Sequence, residues 1–202
     1  MNNWKILAFY TPSYEGIYEQ YLKKSCQNLG LEDKLIIYPI ADQGSWNRNT
    51  AQKPKILLDY LTKNPDKEET IILLDVDATI EKYPTLFDDI SEQYDIAFHT
   101  LNWATWYGHS VANHELLTGT MFFRNTEAVR KLCKQWYEEA MKGDRWEQKV
   151  LETIIPNSNV IVYPLPLSYC YIKTRPGNLE PLIKLDPVIL HHQLSRVMKR
   201  RR

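Results

Sequence analysis

The sequence predicts an α/β fold, a single domain of 202 residues with a mostly parallel central sheet flanked by helices. Three observations carry this. Short apolar runs alternate with stretches of helical period, an order that makes right-handed βαβ units with parallel strands. Ile71-Ile72-Leu73-Leu74 is apolar throughout, as a strand covered on both faces must be. The chain is also long enough to bury a sizeable core without staples.

Ile6 to Tyr10 reads as the first strand, stopped by Thr11-Pro12-Ser13. From Glu15 to Leu29, residues Ile17, Tyr21, Leu22, Cys26 and Leu29 fall on one helical stripe, and Gly30 follows as a C-cap. Leu35 to Tyr38 is the second strand. The polar stretch Asp42 to Asn49, with Trp46 and Arg48, reads as a loop, and Pro54 as the first residue of a helix. Ile56, Leu57, Tyr60 and Leu61 give that helix its apolar face, and Asn64-Pro65-Asp66 ends it. Ile71 to Leu74 then runs into Asp75-Val76-Asp77, near the middle of a doubly wound sheet.

Tyr83-Pro84 opens a turn or short helix through Phe87 and Ile90, and Asp95 to Phe98 reads as another strand. His99 to His114 shows no period and carries Trp103, Trp106 and Tyr107, so it reads either as a long functional loop or flap or as a loop with its aromatics tucked beneath it as a satellite core. Met121 to Phe123 is a strand preceded by Thr118-Gly119-Thr120. Val129, Leu132, Cys133, Trp136, Tyr137, Ala140 and Met141 form the clearest amphipathic stripe of the chain, which Gly143 ends. A further helix spans Asp144 to Ile155 with Asp144 as its cap. Residues 156–202 read as an irregular portion that completes the site, with strands at Val160 to Tyr163 and Val188 to Leu190, then His191-His192 and a basic end.

Lys plus Arg and Asp plus Glu number 25 each, so no global charge draws the chain to nucleic acid or membrane. Cys26, Cys133 and Cys170 are odd in number and widely spaced, which argues against a disulfide framework or zinc site and for a reducing, cytoplasmic setting. The apolar run after Lys5 is too short for a signal peptide, and none approaches the roughly 18 apolar residues of a membrane span. The 13 Tyr and 6 Trp suit a binding cleft.

The chemistry is expected at Asp75-Val76-Asp77. A buried strand that ends in two carboxylates one residue apart sets both at the C-terminal edge of the sheet, where open α/β sheets bind ligands. Hard oxygen ligands of this kind suit Mg²⁺ or Mn²⁺ bridging substrate phosphates.

The order of parts resembles the metal-dependent nucleotide-sugar glycosyltransferases of the GT-A fold across nearly the whole chain. It consists of a βαβα lead-in, Leu-Leu-Asp-Val-Asp, a Thr-Gly-Thr strand before an Asn-Thr-capped helix, an Asp-x-x-x-Gln helix and a late strand ending in His. The resemblance implies that Asp75, Asp77 and His191 hold Mn²⁺ or Mg²⁺ on the diphosphate of a nucleotide sugar, a UDP-sugar being favoured, with His192 as the rival ligand. It implies a donor site of Tyr10, Thr11, Pro12, Lys53, Val76, Thr118, Gly119 and Gln148. The diphosphate needs positive charge besides the metal, and Arg196 is the expected supplier, with Ser195 beside it in the donor site; family members often carry a Gly and a Lys beyond the late His, where this chain has Gln193, Ser195 and Arg196, so the phosphate partner stays open. Asp144 and Glu147 correspond to the acidic helix start that faces sugar and acceptor, where one would be the base of an inverting mechanism or a positioning group in a retaining one. His99, Trp103, Trp106 and Tyr107 form the expected acceptor side. The acceptor itself is open among saccharide, lipid, protein and a modified DNA base.

Two readings compete. Asp75-Val76-Asp77-Ala78-Thr79 also fits the Asp-x-Asp-x-Thr signature of haloacid-dehalogenase-like phosphohydrolases, which place it on their first strand and need a later Lys and acidic pair. A non-catalytic nucleic-acid-binding protein would use the basic end on phosphates.

Overall fold

The computed structural model describes residues 3–65, 69–110, 113–143, 145–174 and 180–194. The expectations for Asp144, Ser195, Arg196 and the basic end lie outside these residues.

The chain opens with β1 (Asn3–Tyr10) and a helical stretch made of α1 (Glu15–Tyr18), a π turn (Glu19–Lys23) and α2 (Lys24–Asn28). There follow β2 (Leu35–Pro39), α3 (Trp46–Thr50), α4 (Gln52–Lys63) and β3 (Glu69–Leu74). After the Asp pair come β4 (Ala78–Ile80), α5 (Leu86–Asp89), β5 (Ile96–Asn102), α6 (Trp103–Tyr107) and β6 (His114–Phe123). The second half holds α7 (Glu127–Met141), α8 (Glu147–Ile154), β7 (Val162–Pro164), β8 (Tyr171–Ile172) and β9 (Ile189–His191).

Six strands form the central sheet in the order β2-β1-β3-β6-β5-β7. β1 runs parallel to β2 and β3, and β5 parallel to β7, while β6 is antiparallel to both neighbours. The sheet is thus mixed, with β6 the one reversed strand. All six residues of β3 are buried, as its unbroken apolar run requires. Alternation assigns its side chains to the two faces. Ile71 and Leu73 join Leu57, Leu61, Leu132 and Trp136 under α4, α7 and α8, whereas Ile72 and Leu74 join Leu22, Cys26 and Phe87 under α1, α2 and α5.

Several expectations are corrected. Asp42 to Asn49 is not wholly a loop: Ser45 caps α3, its Oγ accepting from the Arg48 N–H at 3.3 Å. Pro54 is the third residue of α4, still in the first turn, where backbone N–H groups have no intrahelical partner. His99 to His114 is no flap. β5 continues past a bulge at Phe98/His99 to Asn102, whose side chain caps α6, and β6 begins at His114. α8 starts at Glu147 with Trp146 at its N-cap, later than expected.

A second sheet, ordered β4-β9-β8, was not expected. β4 pairs antiparallel with β9 in the register Ala78↔His191, so the late strand is stitched to the residues that follow the Asp pair. A third core cluster of Leu101, Trp106, Tyr107, Leu117, Cys170, Tyr171 and Ile172 lies where this sheet meets the long β5–β6 pair.

Candidate active site

Where β3 ends, the Asp75 N–H donates to the Gly119 carbonyl on β6 at 3.0 Å, and the Ala78 N–H donates back to the Asp75 carbonyl at 3.0 Å. This turn holds both carboxylates at the edge of the sheet. Asp77 is buried and doubly tied to the chain beyond β9: its carbonyl accepts from His192 N at 3.2 Å and its Oδ2 from Leu194 N at 2.8 Å. The pairing of β4 with β9 then brings His191 alongside, so that ligand atoms of Asp75, Asp77 and His191 lie within 4.8 Å of one another.

His191 is almost fully buried, its Nε2 2.8 Å from the Thr120 hydroxyl. Burial, and after it the positive Lys53 and neighbouring His192, push its pKa down to about 3, so the imidazole is neutral and able to ligate a cation. Two carboxylates and a neutral imidazole with a hydroxyl bracing one ring nitrogen make a donor set that fits a divalent metal. His192 is turned elsewhere: its ring lies 4.6 Å from that of Tyr21, and its Nε2 is 3.1 Å from the Thr79 hydroxyl.

Beside this corner stands Lys53, from the first turn of α4. It is buried, and its Nζ lies 2.8 Å from Asp75 Oδ1, 3.2 Å from Glu147 Oε1 and 3.2 Å from the Thr118 carbonyl. Burial alone would lower the lysine pKa, but the two carboxylates outweigh it and hold Lys53 above its ordinary value, fully charged. Glu147, the first residue of α8, also accepts from the Thr118 hydroxyl at 3.0 Å; its Oε2 is buried without a hydrogen-bond partner among the described residues. The Trp136 indole donates to the Glu147 carbonyl at 2.7 Å and so ties the start of α8 to the core. Gln148 donates to Glu115 at 2.8 Å, and Glu115 accepts from Trp103 at 3.0 Å.

These groups line one cavity of about 460 Å³ at the C-terminal edge of the sheet. Of the residues expected from sequence, Tyr10, Thr11, Lys53, Asp75, Val76, Asp77, Thr118, Gly119, Glu147, Gln148 and His191 line it. Pro12 does not; it opens a 3₁₀ turn behind Thr11. Nor do His99, Trp103, Trp106 and Tyr107, expected on the acceptor side. Trp106 and Tyr107 pack in the third core cluster with Trp103 against it, and His99 Nδ1 lies 2.8 Å from the Leu165 carbonyl. Aromatic side chains in an aperiodic stretch look alike whether they face a ligand or cover a core. Glu115, Trp46, Trp146, Cys170 and Gln193 line the cavity unforeseen. Only the two tryptophans carried a signal, as large apolar residues in otherwise polar stretches.

A family model of nucleotide-diphospho-sugar transferases matches residues 43–201. No curated protein sequence matches the chain. Among solved structures, a glycosyltransferase involved in glycosylation of the major capsid of PBCV-1 superposes with a TM-score of 0.66 at 16% identity, over 98% of this chain and 99% of that one. The galactosyltransferase LgtC, solved with donor and acceptor sugar analogs, gives 0.56 at 11% identity, over 93% and 86% of the two chains. The glycosyltransferase GlyE of Streptococcus pneumoniae TIGR4 gives 0.57 at 15% identity over 93% of this chain, which spans about half (54%) of GlyE. At these identities the likeness is one of fold.

Proposed function

Because the chain belongs to the nucleotide-diphospho-sugar transferase family and shares the fold of GT-A glycosyltransferases, we propose that it is a metal-dependent hexosyl- or pentosyltransferase. It moves the sugar of a UDP-sugar to a hydroxyl of an acceptor. The observation that carries this is the convergence of Asp75, Asp77 and His191 within 4.8 Å at one corner of the cavity. They would hold Mn²⁺ in preference to Mg²⁺, which favours oxygen ligands and its own waters over imidazole. When bound, the ion neutralises charge that builds on the departing nucleoside diphosphate.

The chain's own groups support the rest. Tyr10 and Thr11, where β1 enters the cavity, take the nucleoside. Thr118 and Gly119 line the cavity on the side of the donor sugar, and the missing Cβ of Gly119 makes room for the His191 ring. Lys53 supplies a fixed positive charge whose position is set by Asp75 and Glu147 rather than by solvent. The Oε2 of Glu147, without a hydrogen-bond partner among the described residues, supports a role in receiving a sugar hydroxyl, and the Lys53 ion pair, which fixes the other carboxylate oxygen in place, favours positioning over general-base catalysis. The phosphohydrolase reading draws no support from a motif at the end of the third strand of this sheet.

The test is a panel of nucleotide sugars incubated with Mn²⁺, Mg²⁺ or EDTA and followed by release of nucleoside diphosphate. Turnover of at least one donor with Mn²⁺, abolished by EDTA and by Asp77→Asn, is the expected result. No binding or turnover of any donor under any metal condition would refute the proposal.

A further inference from the structure

Trp46 and Trp146 meet at the rim of the cavity with ring centroids 6.1 Å apart and planes at 85°. They come from unrelated places in the chain, the first residue of α3 and the residue before α8. Trp146 occupies an N-cap, where Ser, Thr, Asp or Asn would satisfy a helix N–H, and it makes no side-chain cap. Trp46 sits in an otherwise polar stretch, in a short helix already capped by Ser45. Both indoles are only half-buried. The Asn47 amide donates to the Gly143 carbonyl at 3.4 Å, which joins the two segments beneath the pair.

From these features we infer that Trp46 and Trp146 form the platform for a pyranose ring of the acceptor, so that the acceptor is a saccharide. This rests on the glycosyltransferase reading above and deepens it. In this edge-to-face contact one indole braces the other, so the pair presents a rigidly held apolar surface to the cavity. The adjacent residue is Glu147, with a buried carboxylate oxygen that has no hydrogen-bond partner among the described residues, and an apolar face beside a hydroxyl-accepting carboxylate matches the C–H face and hydroxyl rim of a sugar. Trp146 adjoins Glu147, which Lys53 links to Asp75, so the pair borders the same cavity as the Asp75–Asp77–His191 corner through the Glu147 end of that chain of contacts.

The test measures two bindings separately: defined oligosaccharides on a glycan array, and UDP with Mn²⁺ by calorimetry. The wild type is expected to retain at least one class of terminal sugar. Trp46→Ala and Trp146→Ala should each weaken that binding by about five- to tenfold, the value of one lost aromatic contact. Trp46→Phe and Trp146→Phe should keep most of it, and UDP binding should move by less than about twofold in all four. The inference is overturned if no glycan binds, if the alanine variants bind glycans as the wild type does, or if UDP binding falls in step with glycan binding, which would assign the pair to the nucleotide. A wild type that binds glycans through the tryptophans but neither UDP nor any other nucleotide would instead refute the donor reading and leave the saccharide platform standing.

Discussion

A Cβ on Gly119 would lie 2.7 Å from Cε1 and 2.9 Å from Nδ1 of His191, so the histidine ring rests directly on the backbone of β6. Both approaches are closer than real Cβ contacts allow. The ring cannot retreat easily, because Thr120 holds its Nε2 and the β4–β9 pairing fixes its backbone. Gly119→Ala should therefore displace the imidazole from Asp75 and Asp77 while the sheet persists. Mn²⁺ affinity is expected to fall about 10- to 100-fold, the usual effect of disturbing a group that orients a ligand. A calorimetric Mn²⁺ titration checks this, and an unchanged affinity would remove His191 from the ligand set.

Lys53 forms ion pairs with both Asp75 and Glu147. Lys53→Met would leave the buried Glu147 carboxylate without its cation. Losing one partner of a buried pair costs about 3–5 kcal/mol, and the half-exposed Asp75 lowers the figure here to about 3 kcal/mol. Glu147→Gln added to Lys53→Met removes the stranded charge and should restore part of the loss. Urea unfolding of the two single variants and the double variant tests this; additive losses would show that the pair is not coupled.

Where sequence pattern and burial coincide, the fold was legible. β3 is apolar at each position from Ile71 to Leu74 and buried on both faces, and the stripe of α7 from Val129 to Ala140 faces the core. β4 and β8, three and two residues long, are too short for any period to show. The bulge at Phe98/His99 broke the alternation that would have extended β5, and β6 opens with a buried Glu115 whose partners, Gln148 and Trp103, lie far away in the chain. The choice between His191 and His192 could not be read from adjacent identical residues. It is made by the register of β9 on β4, which sets one ring toward Asp77 and the other toward Tyr21.

His99 gives the chain a pH dependence away from the candidate site. Burial lowers its pKa below the ordinary 6.5, and the hydrogen bond to the Leu165 carbonyl offsets this only in part. Its Nε2 is buried without a hydrogen-bond partner among the described residues, so protonation would place a second N–H among apolar neighbours such as Trp106. The unfolded chain therefore takes up this proton first as pH falls. Stability contributed by the neutral ring is complete above 6.5 and declines below it until the folded-state value is passed. Urea midpoints measured from pH 8 to pH 5 should fall, and His99→Phe should make the decline shallower. Some slope should remain, because His191 and His192 are shifted in the same direction. An identical slope in the variant would show that His99 does not contribute.

Trp136 links the best-patterned helix to the candidate site. It lies wholly inside the core under α7, and its indole N–H reaches the carbonyl of Glu147 at 2.7 Å. The N-cap residue of α8 makes no side-chain cap, so this bond is the tie that fixes the backbone of its first residue to the core, beside the side-chain contacts of Glu147 with Lys53 and Thr118. Trp136→Phe keeps an aromatic ring but removes the donor and some volume, a loss of about 1–2 kcal/mol. If the bond only stabilised the core, turnover measured well below the melting temperature would be unaffected. The geometry predicts otherwise: with α8 free to shift, the carboxylate of Glu147 moves relative to Lys53 and Thr118, and kcat should fall several-fold while the KM for the nucleotide sugar stays close to that of the wild type. Steady-state kinetics beside urea unfolding separates the two cases, and a variant that is less stable yet turns over normally would confine Trp136 to packing.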